Sequence, residues 1–342
     1  MNNKKRWAKL ALILVLIITV AAAFVPTAYY VEMPGSTIDL KELITVNNEQ
    51  DKEDGSFSLT SVGIQRATVF RLIRAQFSSF EEIVSQEELM GGSTSTQYNQ
   101  MQEYYMESSQ NAAIQQALEL AEKDYQIDYK GVYVLGVDEN SAFVNQIAIG
   151  DTVTKADGQS FASSQAFMEY VQSQEVGQEM TVTYIHDGQE QEATGQLMEL
   201  PSNQKPGIGI TLTDHTEVTT DEVINFDVEN IGGPSAGLMF TLEIYAQLVQ
   251  DDIRKGHEIA GTGTIDNEGN IGRIGGIDKK VASATQAGAE IFFAPDDEVA
   301  SDSGEQSNYQ EAKAAAKELG SQLEIVPVKT VQDALDYLEQ LN

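Results

Sequence analysis

Gly232-Gly233-Pro234-Ser235-Ala236-Gly237 runs straight into Leu238-Met239-Phe240-Thr241-Leu242-Glu243-Ile244-Tyr245-Ala246-Gln247-Leu248-Val249. In the second part Leu238, Leu242, Tyr245 and Val249 recur at helical spacing. The two parts together predict a turn of small residues that sets Ser235 at or near a helix N-terminus. Unpaired backbone N–H groups and the positive end of the helix dipole collect there. Donors so placed stabilise an oxyanion that develops beside them. A plainer reading stands beside this one: serine is a common N-cap, and Ser235 could be no more than that. The stretch from Gly233 also fits G-x-S-x-G, the nucleophile turn of α/β-hydrolases, which needs an aspartate and then a histidine after the serine. His257 is the only histidine after Ser235, and the residues up to Asn342 leave little room for such a sheet. A nucleophilic Ser235 would need a base other than histidine.

A lysine can serve if burial lowers its pKa. The candidate segment is Ile274-Gly275-Gly276-Ile277-Asp278-Lys279-Lys280-Val281-Ala282-Ser283-Ala284-Thr285-Gln286-Ala287-Gly288. It reads as a Gly-Gly turn, a short helix and a glycine C-cap. Lys280 shares a face with Ile277, Ala284 and Ala287, whereas Lys279 lies beside Ser283 and Gln286. Lys280 is therefore expected to point to the apolar side and Lys279 to solvent. The rival reading leaves both solvated, with only their stems on apolar surface.

Taken together, these two stretches resemble the proteolytic domain of the Lon family, which uses a Ser-Lys dyad. The family's serine motif is matched by Gly233 to Gly237, and its lysine, after a Gly-Gly pair, falls on Lys280. A third stretch, Gly261-Thr262-Gly263-Thr264-Ile265, is similar to the family's T-G-x-I strand. The resemblance implies that Ser235 is the nucleophile, Lys280 the base and Thr262 the support of the pair. It also implies an oxyanion region at Gly233, Pro234 and Ala236. Many Lon proteases carry an acid just before the Gly-Pro-Ser; this chain has Gly232 there. The resemblance covers roughly Pro206 to Asn342.

Composition narrows the partners. The 342 residues include 53 acidic and 21 basic ones, for a formal net charge of −32. Nucleic acid is not expected, because its phosphates would be repelled. An acidic, soluble exterior accounts for most of that charge, with some attraction of cationic peptides. With no cysteine, thiol catalysis, disulfides and cysteine-ligated zinc are excluded. His186, His215 and His257 are scattered, so neither a metal nor a cofactor is expected.

At the N-terminus Lys4, Lys5, Arg6 and Lys9 precede an uncharged stretch from Leu10 to Val31. That length suits a bilayer-spanning helix, and the basic flank belongs on the cytoplasmic side. A cleaved signal peptide is the alternative, with Ala21-Ala22-Ala23 as a cleavage site. The length of the span favours a retained anchor. Residues 36–62 read as strands around a polar loop, and 65–90 and 98–124 as helices, with no chemistry apparent in 31–125. From Tyr125 to Leu200 the pattern turns β-rich, with Gly131–Val137 as a strand, a turn at Asp157-Gly158 and a helix from Ser164. This segment resembles a bacterial PDZ domain, a fold that binds an extended peptide by strand addition. The resemblance carries a carboxylate-binding loop to Lys130, Gly131, Val132, Tyr133 and Val134. A β-module that only shapes access to a protease is the alternative.

The expected fold class is α+β: a cytoplasmic tail at 1–9, a transmembrane helix at 10–31, an extracytoplasmic α/β region at 32–124, a PDZ-like β-rich domain at 125–200 and a Lon-type proteolytic domain at 206–342. This order resembles that of the bacterial membrane-anchored, PDZ-containing Lon-like proteases. It implies an ATP-independent serine endopeptidase on the outer face of the plasma membrane. The expected partners are peptide or small-protein substrates and the membrane, through one helix; the chain could also form a homo-oligomer. The alternative is an inactive peptide-binding scaffold.

Overall fold

The computed structural model describes residues 2–228, 231–299 and 304–341. The chain begins with helix α1 (Asn2–Phe24), then β1 (Pro26–Asp39), β2 (Ile44–Val46), β3 (Ser56–Thr68), α2 (Val69–Ala75), β4 (Glu82–Ser85), α3 (Gln86–Met90) and the long α4 (Ser95–Leu120). A central group follows: β5 (Tyr125–Val137), β6 (Thr152–Ala156), β7 (Gln159–Ser160), α5 (Ser164–Gln172), β8 (Glu179–His186), β9 (Gln189–Gln196), β10 (Met198–Glu199), β11 (Pro206–Gly207) and β12 (Ile210–Thr220). The last group is β13 (Ile224–Phe226), α6 (Gly237–Val249), β14 (Glu258–Gly261), β15 (Thr264–Ile265), β16 (Ile271–Gly272), α7 (Ile277–Ala287), β17 (Ile291–Pro295), α8 (Asn308–Leu319), β18 (Glu324–Val328) and α9 (Val331–Glu339). The mixture is α+β, as expected.

One six-stranded sheet has the order β18-β17-β14-β3-β1-β4. β14 runs parallel to β3 and β17, and β18 parallel to β17; β1 is antiparallel to β3. Successive residues of a strand point to opposite faces, and β17 shows the result. Ile291 and Phe293 enter the core beneath α6 and α9, whereas Phe292 and Ala294 enter the core beneath α7 and α8. Helix α6 fills the first core with Leu238, Phe240, Leu242 and Ile244, each fully buried. Each such side chain contributes about 1.5–3 kcal/mol by leaving water.

This sheet redraws the expected divisions. Residues 32–124 are not a module of their own, because β1 and β3 are strands of the same sheet as β14, β17 and β18. A pairing between Ser56 and Glu258 leaves no local trace in the sequence. The apolar span expected at 10–31 ends at Phe24. Pro26 cannot donate to a continuing helix, and Tyr29 to Glu32 are held in β1 by β4. The expected helix at 65–90 is instead the end of β3, α2, β4 and α3. Thr68 accepts from the Arg71 N–H and caps α2, which is why the strand stops there. The expected helix at 98–124 starts earlier, at Ser95, behind a capping box of Thr94 and Gln97.

The second sheet has the order β12-β5-β6-β8-β9, with β7 paired to β6. Its core includes Val132, Val134, Phe143, Phe167, Val171 and Met180. β12, which the sequence reading gave to the 206–342 domain, pairs with β5 over its whole length and belongs here. Residues 201–205, between the expected PDZ-like and Lon-type domains, lie in the turn between β10 and β11. Helix α4 joins the two sheets. Its Tyr104 hydroxyl donates to the Asp214 carbonyl of β12, and Asn111 both donates to the Thr216 carbonyl and accepts from the Val218 N–H.

Candidate functional site

The Ser235 turn ends in α6, whose N-cap is Ala236, without a side-chain cap. Ser235 is thus not capping the helix. Its hydroxyl oxygen instead lies 2.8 Å from Lys280 Nζ. The lysine arrives on α7, which begins after Gly276 at φ +64°, a left-handed conformation that favours glycine. Lys280 is 3% exposed, beside Ile277, Val281 and Ala284 in the α7–α8 core. Its Nζ also donates to Thr262 Oγ1 at 3.1 Å and to the Thr60 carbonyl at 2.8 Å. All three acceptors are uncharged. No opposite charge among these partners offsets the loss of water around an ammonium, and desolvation brings the Lys280 pKa down to about 7.

The serine is held from two sides. Thr262 Oγ1 donates to the Ser235 carbonyl at 2.9 Å, and the Gly263 N–H donates to the same oxygen at 2.9 Å. From α4, the Gln102 carbonyl accepts the Gly233 N–H at 2.9 Å, and Ser109 Oγ donates to the Pro234 carbonyl at 3.1 Å. The expected oxyanion region narrows as a result. The Gly233 N–H is occupied and proline has none, so Gly233 and Pro234 do not supply donors. The Ser235 and Ala236 N–H groups have no intramolecular acceptor among the described residues and remain as the candidates. Gly232, where an acid often stands in the family, also has a steric reason to be small. A Cβ there would sit 2.9 Å from Gln102 Cβ.

The pair opens on a cleft of about 930 Å³. Its walls include Met33, Val62, Met106, Ile231 and Ile274. Glu32 is the carboxylate among the lining residues, and burial raises its pKa. Three residues that touch the Ser235 turn or Lys280 were not found in the sequence: Thr60, Gln102 and Ser109. Thr60 and Gln102 act through backbone carbonyls, which no residue type announces. Lys279 also differs from expectation. It is 4% exposed rather than solvated, bonded to Glu82 at 3.0 Å and to Asp278 at 3.4 Å. The α7 surface on that side is covered by the β1–β4 edge, which the periodicity of α7 alone could not reveal. His257 pairs with Glu290, not with Ser235.

In the second sheet the expected carboxylate-binding loop does not form. Lys130, Gly131, Val132, Tyr133 and Val134 lie within β5, flanked by β12 and β6. Lys130 pairs with Glu217, and Val132 and Val134 point into the core. Gly131 has φ +147°, and a Cβ there would meet the Val153 carbonyl at 2.5 Å, so its role is close strand contact. A groove of about 380 Å³ lies elsewhere, between α5 and the start of β12. Phe167, Met168 and Val171 line one side, and Ile208, Ile210 and Leu212 the other. β12 is an edge strand, so a peptide can add to it there. The signal missed was Gly207-Ile208-Gly209-Ile210, glycines alternating with apolar residues at a strand start.

Residues 100–197 match the family model for the PDZ domain, and residues 229–340 match that for the Lon protease (S16) C-terminal proteolytic domain. The Lon protease of Aster yellows witches'-broom phytoplasma (strain AYWB) is 31% identical over 101 residues, 30% of this chain and 11% of that protein. The Lon protease of Ureaplasma parvum serovar 3 is 45% identical over 67 residues, 19% of this chain and 8% of that protein. The matched residues thus span about a tenth of the length of these curated relatives. Among solved structures, the PDZ domain of the SdrC-like protein from Listeria monocytogenes is 36% identical, with a TM-score of 0.25, covering 25% of this chain and 92% of that one. The corresponding domain from Listeria innocua is 40% identical, with a TM-score of 0.24, covering 25% and 96%.

Proposed function

The chain is a PDZ-containing Lon-like protein, and on that premise we propose that it is an ATP-independent, membrane-anchored serine endopeptidase acting on peptides or small membrane proteins outside the cell. The observation that carries this reading is Lys280, a buried amine with three neutral hydrogen-bond partners, one of them Ser235 Oγ. Neutral Lys280 takes the Ser235 proton, and Ser235 Oγ attacks the scissile carbonyl. The oxyanion is met by the Ser235 and Ala236 N–H groups, and the protonated amine then passes its proton to the leaving nitrogen. Water, activated by the same lysine, releases the acyl group. Thr262 holds both the lysine and the serine carbonyl in place.

Two further features support the reading. The 342 residues contain no G-x-x-x-x-G-K-[ST] phosphate loop, so substrates would be short peptides or already flexible segments. Residues Lys5–Phe24 form a helix that includes an 18-residue apolar window of mean hydropathy 2.4 with none of it buried, which suits a single span with its basic end in the cytoplasm. The groove beside β12 would capture an extended peptide end. A serine-reactive acylating probe tests the mechanism. Labelling is expected in the unaltered protein and lost in both Ser235→Ala and Lys280→Ala. Labelling that persists in Ser235→Ala would refute the assignment of the nucleophile.

A further inference from the structure

The fold leaves one apolar surface uncovered beside α1. On and just after the short helix α2, Phe77 is 87% exposed, Phe70 61% and Ile73 57%. Large apolar side chains grouped this way on a folded surface mark a contact with another apolar phase. Charge is unusual here as well. The chain carries 53 acidic residues, yet none lies between Asp54 and Glu81, while Arg66, Arg71 and Arg74 all do. Arg66 donates to the Thr27 carbonyl and Arg71 to the Gln65 amide oxygen, both neutral acceptors; Arg74 pairs with Glu81. Aromatic and aliphatic side chains interleaved with arginines make an interfacial lipid contact.

Position identifies the partner. β1 starts two residues after α1 ends, and Pro26 pairs with Thr68, the residue that caps α2. Helices α1 and α2 come within 8 Å, Cα to Cα. A bilayer that holds α1 therefore has its surface at α2. We propose that the α2 surface, with Phe70, Ile73 and Phe77 inserted and Arg66 and Arg71 at the headgroups, is a second membrane contact with preference for anionic lipid. This rests on the reading of α1 as a membrane span. It makes the folded part of the chain lie against the bilayer at a fixed orientation rather than swing on a tether.

The full chain reconstituted in phosphatidylcholine vesicles, with and without phosphatidylglycerol, tests this with brominated lipids as quenchers. Trp7 is the only tryptophan and lies in α1, so the unaltered protein reports the span itself. Trp7→Phe/Phe77→Trp reports the α2 surface, and Trp7→Phe/Val176→Trp reports an exposed site in the second sheet's domain. The Phe77→Trp protein is expected to be quenched at least roughly twofold more than the Val176→Trp protein, and more strongly with phosphatidylglycerol. Adding Arg66→Gln and Arg71→Gln should remove the difference between the two lipid compositions. Quenching of Trp7 with none at position 77 overturns this inference alone. Quenching at position 77 without quenching of Trp7 upholds the surface and overturns the span, and quenching at neither overturns both. Burial at position 77 that rises with protein concentration but not with lipid shows a second copy of the chain there and also overturns it.

Discussion

Replacing Lys280 with methionine tests the central claim about its charge, and it does so through stability. In the unfolded chain this lysine titrates at its ordinary 10.5, and in the folded chain at about 7. Between those values the unfolded state binds one more proton than the folded state, so the lysine makes stability rise with pH across that window. Below it both states carry the proton, and the full cost of burying the ammonium, about 5 kcal/mol from the two pKa values, is present. From about pH 7 to about pH 9 roughly 2 kcal/mol of that cost should disappear. Lys280→Met has no such group, and all other titrations cancel in the comparison. The methionine also leaves the Thr60 carbonyl and Thr262 Oγ1 short of a donor and Ser235 Oγ without its partner, a penalty that does not change with pH. Denaturant unfolding of both full-length proteins, from about pH 6 to about pH 9, should therefore show the difference moving in favour of the lysine as pH rises. A difference that stays flat would mean that Lys280 remains charged throughout, and the general-base argument would fail with it.

Other outcomes follow from the same geometry. The rate of peptide cleavage, as kcat/KM, should rise with pH through one ionisation near 7 and then level off; a transition lost in His257→Ala would transfer the role of base to histidine. Lys279→Ala should lower unfolding stability by about 1 kcal/mol, a modest figure because its partner Glu82 is largely exposed. Arg254→Met should be far more damaging, about 3–5 kcal/mol by denaturant titration, because it strands Glu243 and Asp51 in the interior. Met168→Arg, placed in the groove between α5 and β12, should weaken binding of a labelled carboxy-terminal peptide about tenfold or more in fluorescence anisotropy; unchanged binding would place the peptide elsewhere.

The parts of this molecule that could be read from its sequence are those whose chemistry is local. The turn before α6, the glycine that starts α7 and the apolar stripe around Lys280 each announce themselves within a dozen residues. So does the strand at Gly131–Val137. What escaped needed distant partners. The burial of Lys279 depends on β4, far back in the chain. The third acceptor of Lys280 is a carbonyl of β3, which any residue type could have supplied. The peptide groove was misplaced for a related reason. Val132 and Val134 read as a strand whichever role they play, and only the pairing of β12 shows that β5 lies inside its sheet.

β3 is at once the strand that offers its Thr60 carbonyl to Lys280 and the strand that ends at Thr68, opposite Pro26. Eight residues separate those two points, and an extended strand rises about 3.3 Å per residue, so they lie about 26 Å apart. If α1 spans a bilayer and β3 stands along its normal, the strand measures the distance between the lipid surface and the serine. A substrate that is itself anchored would have to offer about eight extended residues beyond the membrane before its peptide bond reached Ser235. A shorter exposed tail would be out of reach however well its sequence suited the cleft. Cleavage position would then be counted outward from the bilayer as well as recognised from side chains.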